Sequence, residues 1–100
     1  MKASKYRNVR TEVDGYKFDS KKEAAYYCDL KLRQRAGEVS YFLRQVPIHL
    51  PGGVRYVCDF LIFYPDGSHE YVDVKGVRTR TYIMKKKMVE ALYPIKIEEV

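Results

Sequence analysis

The chain has 100 residues, of which 46% are hydrophobic and 32% charged, and its formal net charge is +6. One domain of this length can bury a core without disulfide or metal links, and the apolar fraction excludes a disordered chain. No stretch approaches the ~20 apolar residues of a membrane span, and no apolar run of a secretory signal follows the basic N-terminus, so we expect a cytoplasmic protein without a membrane partner.

The N-terminal region is predicted to be a basic arm, residues 1–8, that precedes a single domain over residues 9–100. Residues 9–13 alternate between apolar and polar side chains, which is typical of a strand. Asp14-Gly15 is a strong signal for a two-residue hairpin turn, and residues 16–18 are expected to return as the second strand. The domain therefore begins with a short hairpin.

A helix is predicted to begin after Ser20, because Ser20 and Glu23 have the spacing of a capping box. We expect it to run to about Ala36, since Gly37 suits the left-handed conformation that ends many helices. Its expected apolar positions are Ala24, Tyr27, Cys28 and Leu32.

Three strands are predicted over residues 39–50, 54–64 and 69–75, with turns at Pro51-Gly52-Gly53 and at residues 65–68. The middle strand is nearly all apolar, aromatic or β-branched, which is typical of a central strand covered on both faces.

A second helix and a last strand complete the pattern. Thr79 or Thr81 can cap the helix, Pro94 is expected to end it, and residues 95–97 form a short strand. Its predicted core stripe is Met84, Met88, Ala91 and Leu92. Since a meander pairs antiparallel and a strand–helix–strand link pairs parallel, the sequence predicts an α/β domain with a mixed four-stranded sheet flanked by helices.

Asp59 breaks the apolar pattern of the central strand, and a buried carboxylate needs a cation or strong donors. Asp73 and Lys75 project from one face of the next strand, because strand side chains alternate. A three-residue loop at 65–67 would place Asp59 opposite Asp73, and one at 66–68 would place it opposite Lys75. A two-residue loop at Asp66-Gly67 would turn Asp59 to the other face.

Neighbouring carboxylates repel each other unless a metal ion lies between them. Oxygen ligands without His or Cys suit Mg²⁺, or Mn²⁺ as a substitute, better than zinc. Lys75 can hold or deprotonate an attacking water, or stabilise charge on a phosphate. Together these groups predict metal-assisted hydrolysis of a phosphodiester.

Asp59 and the run Asp73-Val74-Lys75 resemble the D…(D/E)xK signature of the PD-(D/E)XK nuclease superfamily, whose αβββαβ core has the element order predicted here. Glu23 matches an acid that members often add from the first helix, and Gly76 also fits. Cys58 stands where the superfamily has Pro, a position that contributes no chemistry.

The chain also resembles, over about residues 5–98, a family of small phage and prophage nuclease-like proteins. This resemblance rests on residues 13–15, 18–23, 56–59 and 73–76 and on Thr79, Tyr82 and Lys85. It implies a restriction-endonuclease-like domain and a phage-encoded, Mg²⁺-dependent DNA endonuclease of the host cytoplasm. The enzyme would either select branched DNA, such as the Holliday junctions of recombination, or cut only one strand of the DNA.

The resemblance also assigns roles to individual residues. The implied catalytic set is Glu23, Asp59, Asp73 and Lys75. The implied metal ligands are Asp59, Asp73 and the Val74 backbone carbonyl, with Glu23 as a further candidate. Gln45 and Thr79 are candidate accessory residues, although Gln45 is also compatible with an ordinary polar position on an edge strand.

Basic residues gather at residues 1–10 and 75–87, which hold no acid. Clustered bases together with ten tyrosines favour a nucleic-acid partner over a merely solvated surface. The candidate DNA-binding residues are Lys5, Arg7, Arg78, Arg80, Lys85, Lys86 and Lys87. Symmetric cutting of both strands would require a homodimer.

Structural alternatives exist for each site residue. Glu23 could serve only as the capping partner of Ser20, and Asp59 could pair with a buried Arg or Lys. Asp73 and Lys75 could form an ordinary exposed ion pair. The alternative function is therefore a catalytically inactive DNA-binding or structural protein on the same fold.

Three further residues receive structural assignments. The literal Pro-Asp of the chain ends in Asp66, which we place at a hairpin tip roughly 20 Å from Asp73 in a regular hairpin, too far to share its metal. Cys28 and Cys58 are expected to be core thiols of a reduced protein, because they form no CxxC or zinc pattern.

Overall fold

The structure is a computed structural model, and it describes residues 10–100. The predicted basic arm, with Lys5 and Arg7, lies outside the described residues.

The predicted N-terminal hairpin is confirmed. Strand β1 (Thr11–Val13) pairs antiparallel with β2 (Tyr16–Phe18) across the two-residue turn Asp14-Gly15. Both turn residues have positive φ, 53° for Asp14 and 80° for Gly15, as the tight turn of a twisted hairpin requires. The Tyr27 hydroxyl donates to Asp14 Oδ2 at 2.8 Å, which ties the hairpin to the first helix.

Helix α1 (Lys21–Arg35) begins and ends as predicted, with Ser20 at its N-cap and Gly37 at φ 83° beyond its C-terminus. The predicted stripe is partly wrong. Ala24 and Tyr27 are buried, but Cys28 and Leu32 are exposed, and Leu30 is the buried leucine. Positions 24, 27 and 30 follow one helix face, which packs against the sheet in a first core cluster, whereas positions 28 and 32 lie further round the helix.

The four-stranded mixed sheet is also confirmed. Its strands are β3 (Tyr41–His49), β4 (Arg55–Phe63), β5 (His69–Asp73) and β6 (Ile97–Glu99), in spatial order β3-β4-β5-β6. A single 3₁₀ turn, Pro51–Gly53, joins β3 to β4. The first two pairings are antiparallel, and the β5–β6 pairing is parallel.

Several strand boundaries differ from the prediction. Strand β5 ends at Asp73 rather than at residue 75, and β6 spans Ile97–Glu99 rather than residues 95–97. Strands β3 and β4 are each one or two residues shorter at either end than predicted. The backbone remains paired beyond β5, since Val100 N–H donates to the Asp73 carbonyl and Lys75 N–H donates to the Val100 carbonyl. The parallel register with β6 therefore fixes the segment that carries Lys75.

Helix α2 (Arg80–Leu92) is capped by Thr79, whose Oγ1 accepts from the Tyr82 N–H at 3.1 Å. Its predicted core stripe is wrong except for the partly buried Met88. Met84 and Leu92 are each 54% exposed and Ala91 is exposed, whereas Tyr82 and Val89 are buried. Tyr82 and Val89 lie two turns apart on one helix face, which packs in a second core cluster around Cys58 and Ile97.

The β4–β5 hairpin takes the first of the three loops considered. Tyr64 N–H donates to the Ser68 carbonyl, so the loop is 65–67, and Gly67 supplies its left-handed position at φ 89°. The pairing Phe60↔Val72 then brings Asp59 opposite Asp73. Asp66 lies at the tip as predicted, where its Oδ1 accepts from the Ser68 N–H.

Between Arg10 and Val100, no helix is long and apolar enough to cross a membrane.

Candidate active site

The centre of the site is a pair of aspartates, Asp59 and Asp73, whose carboxylates each accept a main-chain N–H from the opposite segment. Asp59 N–H donates to Asp73 Oδ1 at 2.9 Å, and Val74 N–H donates to Asp59 Oδ2 at 2.9 Å. Each carboxylate is thus held by the neighbouring strand rather than by a flexible side chain. These two hydrogen bonds define the orientation of both carboxylates and therefore of their remaining oxygens.

Asp73 is only 1% exposed, which rules out an ordinary exposed ion pair with Lys75. Its second oxygen, Oδ2, is buried and has no hydrogen bond within residues 10–100. Lys75 Nζ is the neighbouring cation, at 3.9 Å. A buried carboxylate oxygen without a hydrogen-bond donor is costly, so this atom is a natural place for a ligand.

Glu23 joins the pair from the first turn of α1. Its N–H donates to Ser20 Oγ at 3.1 Å, as an N-cap requires. Its carboxylate, in contrast, is turned toward the sheet and accepts from Gln45 Nε2 at 3.4 Å. Since Glu23 is only 6% exposed, it is not a solvent-facing capping residue alone.

Burial raises the pKa of all three acids. Burial raises the pKa of Glu23 to about 7, and the negative charges of Asp59 and Asp73 contribute to the rise. Burial also raises the pKa of Asp59 and of Asp73, while a main-chain N–H and the Lys75 ammonium oppose each rise. The neutral form of each acid is therefore favoured, chiefly because burial removes the carboxyl group from water.

Gln45 occupies a strained position next to these acids. Its φ is 52°, although it lies inside β3, and it falls opposite Asp59 between the pairs Arg44↔Phe60 and Val46↔Cys58. A left-handed non-glycine residue costs on the order of 1–3 kcal/mol and persists only where its surroundings require it. Its amide binds Glu23 and also favours the charged form of Asp59.

Lys75 is held by groups that sequence reasoning did not assign to the site. Its Nζ lies 3.9 Å from the centre of the Tyr82 ring, a cation–π contact, and Tyr82 donates through its hydroxyl to Glu99 at 2.7 Å. Lys22 donates through Nζ to the Lys75 carbonyl at 2.9 Å. Tyr82 and Lys22 are among the residues that carry the family resemblance, but the sequence did not indicate that they would contact Lys75, because the fold brings them together.

The predicted DNA-binding residues that the structure describes are on α2 or just before it. Arg78 and Lys86 contact Glu99, at 3.2 and 3.6 Å, so their charges are partly compensated. Arg80 and Lys87 are exposed and Lys85 is half-buried. Thr79, a candidate accessory residue, acts as the helix cap.

The donor atoms fit Mg²⁺ or Mn²⁺. The carboxylates of Asp59 and Asp73 and the Val74 backbone carbonyl are hard oxygen donors, and Asp73 Oδ2 is the carboxylate oxygen that is buried without a hydrogen bond. In the part of the chain that the structure describes, no three His, Cys, Asp or Glu side chains form a ready-made metal cluster. Mg²⁺ does not need one, because it is usually bound by one or two carboxylates together with waters and substrate phosphate.

Without divalent metal, we expect the melting temperature to fall as the pH rises from about 5 to 8. A carboxyl whose pKa is raised in the folded state stabilises the fold below its unfolded pKa, and this contribution is lost as the pH rises through about 7 for Glu23. Glu23→Gln should make the profile flatter and stabilise the metal-free protein at pH 8 by on the order of 1 kcal/mol, or roughly 4–8 °C. Calorimetry in EDTA measures the pH profile of the melting temperature for the wild type and for Glu23→Gln.

The matched control for this prediction is Glu38→Gln, an exposed glutamate just beyond α1. It should leave the profile unchanged. Added Mg²⁺ should raise the melting temperature more at pH 8 than at pH 5, because the metal binds the ionised cluster. A flat wild-type profile in EDTA would contradict the buried-acid cluster.

A protein-family model described as a protein of unknown function (DUF1064) matches residues 3–98, so the chain belongs to that family. No curated protein matches the chain.

Proposed function

We propose that this member of the DUF1064 family is a divalent-metal-dependent DNA endonuclease. The observation that carries the proposal is the aspartate pair, in which Asp73 Oδ2 is buried without a hydrogen bond and lies 3.9 Å from Lys75 Nζ. A structural ion pair does not require a buried and a half-buried acid on adjacent strands, a third acid from α1 and a strained glutamine. The resemblance of Asp59 and Asp73-Val74-Lys75 to the PD-(D/E)XK signature supports the same function.

Each residue has a task in this mechanism. Asp59 and Asp73 would hold Mg²⁺, which when bound stabilises charge on a phosphate and acidifies water. Lys75 places its ammonium beside Asp73, where it can orient the attacking water and stabilise negative charge on the scissile phosphate. Glu23 can take up a proton near neutral pH, since its pKa is about 7.

The decisive experiment is cleavage of labelled linear, flapped and four-way DNA in Mg²⁺, in Mn²⁺ and in EDTA. Cleavage with either metal and none in EDTA supports the proposal. Preference for the flapped or four-way DNA would identify a structure-selective enzyme, and single-strand breaks in the linear duplex would identify a nicking one. Wild-type protein that binds DNA but cuts none of these substrates contradicts the proposal.

A specific observation favours a second candidate, a catalytically inactive DNA-binding protein. Asp59 and Asp73 each accept a main-chain N–H, so both have a structural partner without any metal. Under this alternative, Mg²⁺ would neither bind nor stabilise the protein. Titration calorimetry with Mg²⁺ distinguishes the two functions independently of the DNA substrate.

DNA affinity should fall steeply with salt, because the basic residues on α2 would replace counterions on the phosphate backbone. Each lost phosphate contact lowers the log–log slope on duplex DNA by about 0.9. Lys87 is exposed, so we expect Lys87→Ala to lower the slope by about one contact. Lys96→Ala is the control, since Lys96 lies outside α2 and pairs with Glu98. Equal slopes for the wild type and Lys87→Ala would exclude Lys87 from the interface.

A further inference from the structure

A groove runs beside the acid cluster, between the N-terminal hairpin, α1 and β3. Its volume is about 380 Å³, and aromatic, amide and basic side chains line it together. The lining includes Tyr16, Tyr27, Lys31, Gln34, Phe42 and Arg44. This mixture is unlike the purely apolar lining of a core defect, and it matches the chemistry of a nucleotide, which combines a flat ring with a phosphate.

Tyr16 provides an open aromatic surface in this groove. It remains 48% exposed, although Arg44 lies over its ring and Tyr27 contacts its edge. It is also placed firmly, because it begins β2 directly after the tight Asp14-Gly15 turn. A rigid and half-exposed tyrosine is the usual platform on which an unpaired base stacks.

Arg44 provides the charge. Its guanidinium lies 4.5 Å from the Tyr16 ring centre and 4.4 Å from that of Phe18. Among the described residues it forms no ion pair, so aromatic faces hold its charge in place without neutralising it. Lys31, exposed on α1, adds a second positive charge to the same groove.

The groove adjoins the candidate active site. Arg44 directly precedes Gln45, which binds Glu23, and Tyr27 lies one turn after Glu23 on α1. The positive charge of Arg44 accordingly lowers the pKa of Glu23, against the effect of burial. A nucleotide in the groove would therefore lie next to the scissile phosphate, on which the acids and Lys75 are proposed to act.

We propose that this groove binds an unpaired nucleobase next to the cleaved bond, so that the enzyme selects DNA with a single-stranded or branched element. The proposal rests on the proposed endonuclease function. In a duplex every base is stacked and paired, and it cannot enter a groove beside the backbone unless it is first extruded. The basic residues on α2 would contact only phosphates and would therefore bind both forms of DNA.

The test measures binding in EDTA, so that it does not depend on cleavage. Fluorescence anisotropy compares a single-stranded oligonucleotide with a duplex, and a 2-aminopurine at an unpaired position reports stacking through quenching. We expect Tyr16→Ala to weaken single-strand binding at least fivefold and to abolish the quenching, with duplex affinity changed less than twofold. Tyr16→Phe should retain both properties of the wild type.

Tyr41→Ala is the matched control, because Tyr41 is 49% exposed but stacks on Phe63 outside the groove. It should behave as the wild type. Retained duplex affinity shows that Tyr16→Ala is folded. The proposal is overturned if Tyr16→Ala binds single strands as the wild type does, or if it weakens both forms of DNA equally. If the wild type shows base stacking but cleaves no DNA in Mg²⁺, the proposed endonuclease function is wrong, whereas the proposal that the groove binds a base is still supported.

Discussion

Asp73→Asn is expected to abolish cleavage while the protein still binds DNA. The amide can accept the Asp59 N–H as Oδ1 does, but its NH₂ group would replace the buried oxygen that faces Lys75. The site would lose a metal ligand and gain a donor next to an ammonium. Since a bound metal contributes several kcal/mol of transition-state stabilisation, cleavage should fall at least ~100-fold. DNA affinity should stay within a few-fold or improve, because one negative charge is removed.

The matched control is Asp66→Asn on the same hairpin. Asp66 belongs to the literal Pro-Asp of the chain, but it lies at the exposed tip and holds the Ser68 N–H, which an asparagine can also do. Its cleavage rate should equal that of the wild type. Near-normal cleavage by Asp73→Asn, or loss of cleavage in Asp66→Asn, would show that the metal ligands are assigned to the wrong aspartate.

Local signals with a steric cause predicted most of the fold. Asp14-Gly15 tolerates positive φ at both positions, and Gly67 supplies the left-handed position of the β4–β5 loop. The largely apolar run of β4 predicted a central strand, and residues 60–62 in its C-terminal half are buried on both faces. These constraints act within a few residues, so they are readable before any tertiary structure is known.

The buried faces of the helices were less predictable, because their buried residues are not the most apolar ones. α2 buries Tyr82 and exposes Met84 and Leu92, and α1 buries Glu23 and exposes Leu32. A tyrosine with a bonded hydroxyl is buried as readily as a leucine. The side of a helix that faces the sheet depends on such partners, which come from other elements.

Some features of the candidate site could be predicted from the sequence, and others could not. Asp59, Asp73 and Lys75 could be chosen from the sequence, because acids in a central strand and a same-face lysine are rare without a reason. Their meeting at one point could not be predicted from the sequence. If the three-residue loop lay one position further along the chain, at 66–68 instead of 65–67, Asp59 would lie opposite Lys75 instead of Asp73. The positive φ of Gln45 has no signature in the sequence at all. It depends on acids contributed by other elements.

Lys75 provides the sharpest test of the chemistry. Its ammonium is held between Asp73 Oδ2 and the Tyr82 ring, at 3.9 Å from each, so the space around it is bounded on two sides. We expect Lys75→Ala and Lys75→Arg both to lose nearly all cleavage, at least ~100-fold, because a guanidinium is bulkier, remains protonated and cannot act as a compact point charge. Lys96→Ala, an exposed lysine outside the site, should cleave at the wild-type rate.

Metal binding separates this role from a merely structural one. The ligands Asp59 and Asp73 are held by main-chain donors, so both Lys75 variants should bind Mg²⁺ in a calorimetric titration with nearly wild-type affinity. Partial activity of Lys75→Arg, well above that of Lys75→Ala, would mean that positive charge alone suffices and that Lys75 neither positions nor deprotonates the water. If both variants lose Mg²⁺ binding together with cleavage, Lys75 organises the aspartate pair and does not act on the substrate.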